Sequence, residues 1–428
     1  MLFSSRLLGP NFFLLILCSS ANAQQAVTSP PPSVSATLFQ NVRVFDGKNE
    51  TLTPASNVLV EGNTITRVST ADIPVDPKLS VTVVAGGGRV LMPGLIEAHW
   101  HAIMVAPSLS TAMTASMGYL YILAAQAAEA TLMRGFTTIR DMGGPTFGLK
   151  RAIDEGVVVG PRIYPSGAFI SQTAGHGDFR QLNEIPRTPN SPLSYTERIG
   201  VAAIADSPDE VRLRSRENLM QGASQAKLMA GGGVSSPYGP IDTTQYTEAE
   251  LRAGVEAAAD WGTYVAAHAY TPRSIRRAID AGVLCIEHGH LMDEPTAKLM
   301  AEKGIWLSIQ PFLDDEDANP VSSPEMRARQ LEVIAGTDRA YTLAKKYGIK
   351  VAFGTDILFD ARLASRQGAQ LAKLVRWYSP AEALRMATGD NGRLLALSGL
   401  RSPYRGKLGV VEEGALADLL PPILNWQH

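Results

Sequence analysis

The chain has 428 residues, of which 45% are hydrophobic and 19% are charged, and its formal net charge is −2. This length exceeds that of one ordinary domain, and the composition is typical of a folded globular enzyme rather than a disordered chain. The near-neutral charge provides no basic stripe for phosphate contacts, which argues against nucleic acid as a partner.

The first residues have the pattern of a targeting segment. Arg6 supplies a positive charge, residues 12–17 form a short apolar run, and residues 21–23 (Ala-Asn-Ala) resemble a cleavage site. The apolar run is too short to span a bilayer. We therefore predict a signal peptide over residues 1–23 and a secreted or periplasmic protein without a membrane span. Cys18 leaves lipidation as the alternative.

Two segments of different character follow. Residues 24–36 are rich in Pro and Ser, which predicts an extended linker. Residues 37–90 alternate short apolar stretches with turn residues, for example at Asp46-Gly47. This pattern predicts the N-terminal part of a small β-sandwich domain.

From residue 91 to residue 404, short apolar strands alternate with helical segments, several of them rich in Ala. The strand candidates are Val90–His99, Thr137–Asp141, Arg162–Ile170, Ala226–Met229, Tyr264–His268, Cys285–Glu287, Trp306–Gln310 and Lys350–Gly354. Such alternation predicts a parallel sheet, and eight units predict its closure into a barrel. The predicted fold class is α/β, a (β/α)8 TIM-type barrel beside the small β domain.

A long connection, from Ser171 to about Leu213, separates the third and fourth strand candidates. Long connections in compact domains are commonly lids or binding loops, and a partly helical surface excursion is the alternative. Apolar residues in the long loops suggest a pocket for an aromatic or aliphatic group. These residues are Ile185, Leu193, Phe312, Leu313 and Phe359.

Histidines and an aspartate stand at the ends of several predicted strands. His99 and His101 end the first strand, and side chains at positions i and i+2 of a strand point to the same face. His268, His288 and Asp356 end three later strands. Active sites of such barrels lie at the carboxyl ends of the strands, and paired imidazoles bind zinc-type ions. The set therefore predicts a metal centre, for which an isolated His-x-His pair would be a weak signal.

Lys227 lies in a strand that is otherwise apolar. Burial of an ammonium group is unfavourable, so an inward-facing lysine tends to lose its proton. A neutral amine can add CO2 to form a carbamate, an anionic oxygen ligand that can bridge two cations. The alternative is a lysine that extends its ammonium group towards the strand end. The neighbouring histidines and Asp356 favour the carbamate.

Five separated motifs together resemble the amidohydrolase superfamily, and more narrowly its imidazolonepropionase-like, Xaa-Pro dipeptidase branch. The motifs are His99-x-His101, the strand of Lys227, the strand ending at His268, Ile286-Glu-His288-Gly and Gly354-Thr-Asp356. The resemblance covers nearly the whole chain after the predicted linker, and it is strongest to bacterial members that hydrolyse ochratoxin A.

The resemblance implies two divalent metal ions, for which zinc is the best fit. His99, His101 and Asp356 would hold the first ion, His268 and His288 the second, and a carbamate on Lys227 would bridge both. Asp356 would also be the catalytic residue, taking a proton from water and delivering it to the leaving nitrogen. Asp356→Asn is expected to abolish turnover and to leave much of the metal bound.

The implied reaction is hydrolysis of a small peptide-like amide with release of a C-terminal amino acid. Ochratoxin A, giving phenylalanine and ochratoxin alpha, is one such substrate, and other N-acyl amino acids and dipeptides are related ones. Opening of a cyclic amide is an alternative within the family, although Lys227 argues for a two-metal site. An alternative of another class is a secreted metal-binding protein without turnover, which Asp356 argues against, because a purely structural site needs no base.

Weaker candidates surround these motifs. His176, Tyr238 and His290 are candidate substrate-binding residues, each with a purely structural alternative. Arg140-Asp141 ends the second strand candidate, and a structural salt bridge is expected there rather than a catalytic role. Glu287 is expected to point away from the barrel lumen, because its neighbour His288 points towards it.

The C-terminal segment, residues 405–428, returns towards the small β domain. It reaches Leu420 and then runs into Pro421-Pro422, which cannot continue a central strand. The return is therefore predicted to be shorter than the family pattern. Barrels of this kind often assemble through their outer helices, so a homo-oligomer is also expected.

Overall fold

The computed structural model describes residues 35–421, except Lys78, Pro189 and Ser322. The predicted signal peptide and most of the predicted linker lie outside the described residues, as do residues 422–428. The first strand begins at Ser35, so the last two residues of the predicted linker are part of a strand. Within the described part, no helix has both the length and the apolar character that crossing a membrane requires.

Strands and helices of the described residues are numbered in chain order. The strands are β1 (Ser35–Val44), β2 (Ser56–Glu61), β3 (Thr64–Ser69), β4 (Ser80–Ala85), β5 (Val90–Pro93), β6 (Leu95–Trp100), β7 (Phe136–Asp141), β8 (Arg162–Pro165), β9 (Phe169–Ser171), β10 (Ala202–Ile204), β11 (Ala226–Met229), β12 (Val265–Ala269), β13 (Cys285–His288), β14 (Trp306–Ile309), β15 (Lys350–Phe353) and β16 (Leu419–Leu420).

The α-helices are α1 (Leu109–Thr114), α2 (Met117–Met133), α3 (Phe147–Asp154), α4 (Tyr195–Arg198), α5 (Pro208–Met220), α6 (Glu248–Asp260), α7 (Pro272–Asp280), α8 (Glu294–Lys303), α9 (Pro324–Tyr347), α10 (Ala361–Ser365), α11 (Gln367–Ala372), α12 (Pro380–Arg385) and α13 (Asn391–Leu395). Short 3-10 helices cover Leu182–Glu184, Lys373–Arg376 and Ala396–Arg401, and a π-helical turn covers Met386–Asp390.

Six strands form the sheet of the small β domain, in the order β16-β5-β1-β2-β3, with β4 paired to β1. Its core contains Val42, Val58, Ile65 and Leu91, all of them buried. Strand β16 comes from the C-terminal return and pairs antiparallel with β5. The sheet therefore combines an N-terminal segment with a short C-terminal return, which is the composition that the sequence predicts.

The barrel consists of two parallel groups of strands. One has the order β6-β7-β8, and the other has the order β10-β9-β11-β12-β13-β14-β15. Strands β8 and β9 together occupy one strand position of the barrel, because β8 pairs with β7 and β9 pairs with β11. A turn in which Gly167 has a φ of 75° separates them. The predicted α/β class and TIM-type barrel are confirmed.

Two predicted strands are divided in the structure. The candidate Val90–His99 is β5 of the small domain followed by β6 of the barrel, with Gly94 between them. A Cβ atom on Gly94 would lie 2.1 Å from Oγ1 of Thr137, so the chain passes too closely there for a side chain. The candidate Arg162–Ile170 is likewise divided into β8 and β9. The long connection after β9 also contains α4 and the short strand β10, and is not one continuous loop.

Helix signals in the sequence fix where the chain turns back along the barrel. Helices such as α5, α7, α8 and α9 have Pro in their first or second position after a capping residue whose side chain accepts a backbone N–H bond. The capping residues are Ser207, Thr271, Asp293 and Ser323. Gly304 and Gly348 end α8 and α9 in the left-handed conformation. These boundaries place the carboxyl ends of the barrel strands on one face.

Candidate active site

All six residues predicted as metal ligands line a single cavity of about 430 Å³ at the carboxyl ends of the barrel strands. They are His99, His101, Lys227, His268, His288 and Asp356. Five of them come from the carboxyl end of a barrel strand or from the residues just after it, and Lys227 is the second residue of β11. The barrel topology therefore brings together residues that are up to 257 positions apart, from His99 to Asp356.

Three of these residues form a compact donor cluster. Nε2 of His99 lies 3.5 Å from Oδ1 of Asp356, and Nε2 of His101 lies 3.3 Å from the same oxygen. One ligand atom from each residue lies within 4.8 Å of the other two, which is close enough for one metal ion to be shared. The two histidines are buried and the carboxylate is partly exposed to the cavity.

The second pair of histidines lies beside this cluster. The ring centroids of His268 and His288 are 4.5 Å apart, and the ring centroids of His288 and His99 are 4.9 Å apart. Lys227, on β11, is buried, and its neighbour on the same strand face, Met229, also lines the cavity. The ammonium group of Lys227 therefore points into the lumen together with the imidazoles.

The backbone is strained at two of these positions. His288 has a φ of 78° and Asp356 has a φ of 51°, both in the left-handed region. Residues with a Cβ atom adopt this conformation at a cost of about 1–3 kcal/mol, and such strain collects at functional sites. At His288 it interrupts strand alternation, so that Glu287 and His288 both face the interior.

The hydrogen bonds of the four histidines fix which nitrogen is available to a ligand. In each ring one nitrogen contacts an oxygen acceptor outside the donor cluster, which favours the proton on that nitrogen and a lone pair on the other. The contacts are His99 Nδ1 to Glu287 at 2.7 Å, His101 Nδ1 to Gly143 O at 3.1 Å, His268 Nε2 to Gly232 O at 2.9 Å and His288 Nδ1 to Gln310 Oε1 at 2.7 Å.

The electrostatics of the site favour neutral imidazoles and an ionised Asp356. Burial and the nearby Lys227 lower the pKa of His99 to about 4, and burial lowers the pKa of His268 and His288 well below the ordinary value. Burial acts to raise the pKa of Asp356, but His99 and His101 outweigh it and the pKa is lowered. Burial also lowers the pKa of Lys227 to about 8.

Beneath the donors, Glu287 is part of a buried ionic network, and the expectation that it points away from the lumen is wrong. Its Oε2 lies 2.7 Å from Nδ1 of His99, and its Oε1 accepts a bond from Nη2 of Arg140 at 2.7 Å. Arg140 also donates to the hydroxyl of Tyr264 at 3.0 Å. Arg140 therefore has the structural salt bridge that the sequence predicts, with Glu287 as its partner. Asp141 accepts the backbone N–H of Ala102 at 2.6 Å.

The donor set fits divalent transition metals. Imidazole nitrogens and carboxylate oxygens suit zinc and its neighbours, and a histidine that also donates to a carboxylate, as His99 does, is the usual arrangement around a bound metal. A neutral Lys227 amine could react with CO2, and the resulting carbamate would add an oxygen ligand to this set. The residues present therefore fit one metal ion at His99, His101 and Asp356. His268 and His288 lie beside this cluster.

The three candidate substrate-binding residues occupy different surroundings. His176 lines the cavity, stacks on His268 with centroids 4.1 Å apart, and has Nδ1 at 3.1 Å from the hydroxyl of Ser236. His290 is buried, donates from Nε2 to the carbonyl of Gln310, and is not among the residues that line the cavity. Tyr238 is also outside the lining, and its hydroxyl donates to the carbonyl of Arg180 at 2.6 Å.

A residue that the sequence did not single out, Tyr270, lies at the cavity wall. Its ring centroid is 5.0 Å from that of His268 and 5.1 Å from that of His288. It lies two residues after His268, and the i, i+2 spacing that identified the first histidine pair is the signal that could have found it.

The rest of the cavity wall is mainly apolar and comes from the connections after the strands. Phe312, Leu313 and Phe359 line it, as their positions in the long loops suggested, whereas Ile185 and Leu193 are exposed elsewhere. The long connection after β9 supplies further apolar wall residues, which are Phe179, Ile199 and Val201. This connection is therefore a wall of the cavity in the structure.

The family of the chain follows from its match to known proteins. Residues 90–422 match the model of the Amidohydrolase family. The chain belongs to the amidohydrolase family. The match spans the barrel with all six proposed ligands and the return to the small β domain.

This amidohydrolase is similar to an ochratoxinase, a prolidase and a Xaa-Pro dipeptidase. It is 33% identical to an ochratoxinase of Aspergillus niger over 352 residues, which is 77% of this chain and 72% of that protein. A prolidase solved with N-methylphosphonate-L-proline superimposes with a TM-score of 0.81 at 34% identity, covering 90% of this chain and 92% of the other. A Xaa-Pro dipeptidase with bound methionine superimposes with a TM-score of 0.76 at 28% identity, covering 90% and 93%.

Proposed function

We propose that this amidohydrolase releases the C-terminal amino acid from N-acyl amino acids, ochratoxin A among them, at a binuclear metal centre. One observation carries the proposal: the six donors line a single cavity whose wall is otherwise mainly apolar. An apolar wall suits a substrate with an aromatic or aliphatic acyl group and disfavours small polar dipeptides. The likeness to ochratoxinase and to prolidases supports an amide substrate.

In this proposal Lys227 carries a carbamate. Its side-chain nitrogen forms a bond to the carbon of CO2 and releases a proton to solvent, which leaves an anionic carboxylate. A pKa lowered to about 8 by burial favours the neutral amine that this step requires. The carbamate would complete a set in which His99, His101 and Asp356 hold one zinc ion and His268 and His288 hold the other.

When bound, divalent ions of this kind supply a nucleophile from water at neutral pH and Lewis acidity towards an amide carbonyl. The chain's own groups then manage the proton. Asp356 is ionised, so its carboxylate accepts the proton of the attacking water and delivers it to the leaving nitrogen as the C–N bond breaks. His176 lines the cavity beside His268 and is positioned to contact the substrate carbonyl.

The test is amino-acid release by the zinc-reconstituted protein from ochratoxin A, a panel of N-acyl amino acids, dipeptides and a cyclic amide. Phenylalanine release from ochratoxin A that is lost on chelation and in Asp356→Asn is the expected result. Asp209→Asn, a matched change at an exposed carboxylate on α5, should leave the rate unchanged. Turnover of the cyclic amide alone would replace the proposal with the cyclic-amide alternative, and bound zinc without any turnover would favour a metal-binding protein.

Two further proposals concern the whole protein. We propose that residues 1–23 direct export, on the basis of their charge and apolar run, and that the protein forms homo-oligomers. N-terminal sequencing of the exported protein and its mass in solution test these two points separately.

A further inference from the structure

The barrel has a seam between its first and last strands. The ladders of the described strands join β6 to β7 and β15 to β14, but none joins β6 to β15. A backbone bond crosses beside the donors, from the N–H of Asp356, which follows β15, to the carbonyl of His99 on β6 at 3.0 Å. Two more backbone bonds join the loops that follow the strands, from Phe359 to Met104 and from Asp360 to Val105. His99 and His101 lie on one side of this seam and Asp356 on the other, so the geometry of the three-donor cluster depends on how the seam is closed.

A side-chain amide takes the place of the missing ladder. Asn391, at the start of α13, is fully buried. Its Nδ2 donates to the carbonyl of Ile96 on β6 at 2.7 Å and to the carbonyl of Phe353 on β15 at 2.8 Å, and its Oδ1 accepts the N–H of Phe353 at 3.0 Å. The amide therefore bonds to both strands as the peptide group of an intervening strand would.

The buried side chain of Glu97 also joins the two sides of the seam, one residue further along β6. Oε1 of Glu97 accepts the N–H of His99 at 3.0 Å and the N–H of Thr355 at 2.8 Å. Its Oε2 accepts the hydroxyl of Thr355 at 3.0 Å and the side-chain amide of Gln367 at 2.9 Å. Three of these hydrogen bonds thus link the backbone of one donor, His99, to Thr355, the residue before another donor, Asp356. The fourth bond joins Glu97 to Gln367 on α11.

We propose that Asn391 and Glu97 are positioning residues that set the separation of His99 and His101 from Asp356, and thereby the metal affinity of this cluster. The inference rests on the proposed metal centre. Neither residue touches the cavity; both act through the strands that carry the donors. If either set of bonds is lost, the two strands stay packed side by side but can shift relative to each other. A shift of a fraction of an ångström changes the distances between the donors and is enough to lower metal affinity.

The experiment measures zinc binding by competition with a fluorescent chelator, together with thermal unfolding of the metal-free protein. Asn391→Asp keeps the shape of the side chain but puts a carboxylate oxygen in place of Nδ2. That oxygen would face the carbonyl oxygens of Ile96 and Phe353, so both donated bonds are lost. Asn218→Asp is the matched control, because Asn218 is also buried and bonds the N–H and carbonyl of Ala168 at the β8–β9 turn. If Asn391→Asp does not fold, Thr355→Val, which removes one bond to Glu97, replaces it.

We expect the zinc affinity of Asn391→Asp to fall roughly 10–100-fold, the range seen when groups supporting a ligand are removed. Asn218→Asp should lower the unfolding temperature and leave zinc affinity unchanged, and Thr355→Val should give a smaller loss of affinity. Unchanged affinity in Asn391→Asp, or in Thr355→Val where that variant is used, overturns the positioning role alone. Absence of zinc binding in the unaltered protein would instead overturn the proposed metal centre, and this inference with it.

Discussion

Oε2 of Glu287 lies 2.7 Å from Nδ1 of His99, in a part of the barrel from which water is excluded. Burial acts to raise the pKa of Glu287, but Arg140 and His99 outweigh it and hold the pKa well below its ordinary value. The carboxylate is therefore ionised and accepts the Nδ1 proton of His99. This contact leaves the Nε2 lone pair of His99 directed at the donor cluster.

Glu287→Gln should weaken zinc binding roughly 10–100-fold, because the amide offers one acceptor and its NH2 group would oppose the N–H of His99 or Arg140. It should also destabilise the fold by roughly 3–5 kcal/mol, since the Arg140 charge loses its buried partner. Chelator competition and urea unfolding measure the two effects. Glu294→Gln, at an exposed ion pair with Lys346, should leave zinc affinity unchanged. Full zinc affinity in Glu287→Gln would contradict the role of Glu287.

If Lys227 carries the proposed carbamate, Lys227→Met should reduce the zinc content from two ions to one or none and abolish turnover, because the proposed bridge is lost. In the unaltered protein, removal of CO2 and bicarbonate during zinc reconstitution should slow recovery of activity, and added bicarbonate should restore it. Metal analysis and labelled-CO2 NMR spectroscopy test both points. Lys350→Met, at an exposed position of β15, is the control. Two tightly bound ions in Lys227→Met would contradict the bridge.

Buried His290 should make the metal-free protein sensitive to acid. Burial lowers its pKa to about 4 from an ordinary value of 6.5. Between these values the unfolded state binds a proton that the folded state does not, so the free energy of unfolding falls as pH falls from 6.5 towards 4. His290→Gln should reduce the slope of that dependence near pH 5 by about 1.4 kcal/mol per pH unit.

Urea unfolding between pH 5 and 6.5 with a chelator present measures this slope. Phe312→Leu alters the ring stacked on His290 without removing a titratable group, so it should shift the curve without changing its slope. Burial raises the pKa of Glu97 to about 7 and that of Asp141 to about 6. These two groups therefore change the free energy of unfolding with pH in the opposite direction to the histidines, but their contribution is the same in every variant. An unchanged slope in His290→Gln would show that His290 is not buried in neutral form.

Gly354→Ala should destabilise the protein and lower its zinc affinity. A Cβ atom on Gly354 would lie 2.7 Å from Cβ and 2.8 Å from the backbone nitrogen of His99, and backbone cannot move aside as a flexible side chain can. The strands would have to separate at the seam. Gly368→Ala, in α11 with no atom within 4 Å of the added methyl group, should be stabilising by up to about 1 kcal/mol. Thermal unfolding and zinc titration of the two variants check the contrast, and equal behaviour would contradict it.

The barrel and its donors could be predicted because they depend on local pattern. Strand–helix alternation gave the fold, and the position of each His and Asp at a strand end gave the site. Glu287 was misplaced because strict alternation was assumed, whereas the left-handed backbone at His288 turns two consecutive side chains inward. No local sequence pattern predicts that backbone conformation at His288.

Asn391 could not be found from the sequence for a different reason. It is 295 positions from Ile96, to which it bonds, and it lies in a helix after the last strand candidate. Its role depends on a gap in the sheet, and that gap exists only once the barrel has closed. The division at Gly94 is similar, because it reflects contact with Thr137 on the next strand rather than a turn signal of its own.

The donors and the cavity wall are built on different parts of the chain. Donors stand at strand ends held by buried networks, whereas wall residues such as Val201, Phe312 and Phe359 come from three separate connections. Substitutions in these connections can reshape the space around a bound substrate while the donor cluster keeps its geometry. Selection for a new substrate can therefore act on the wall one connection at a time, and a laboratory library confined to those connections would sample specificity without risking the chemistry.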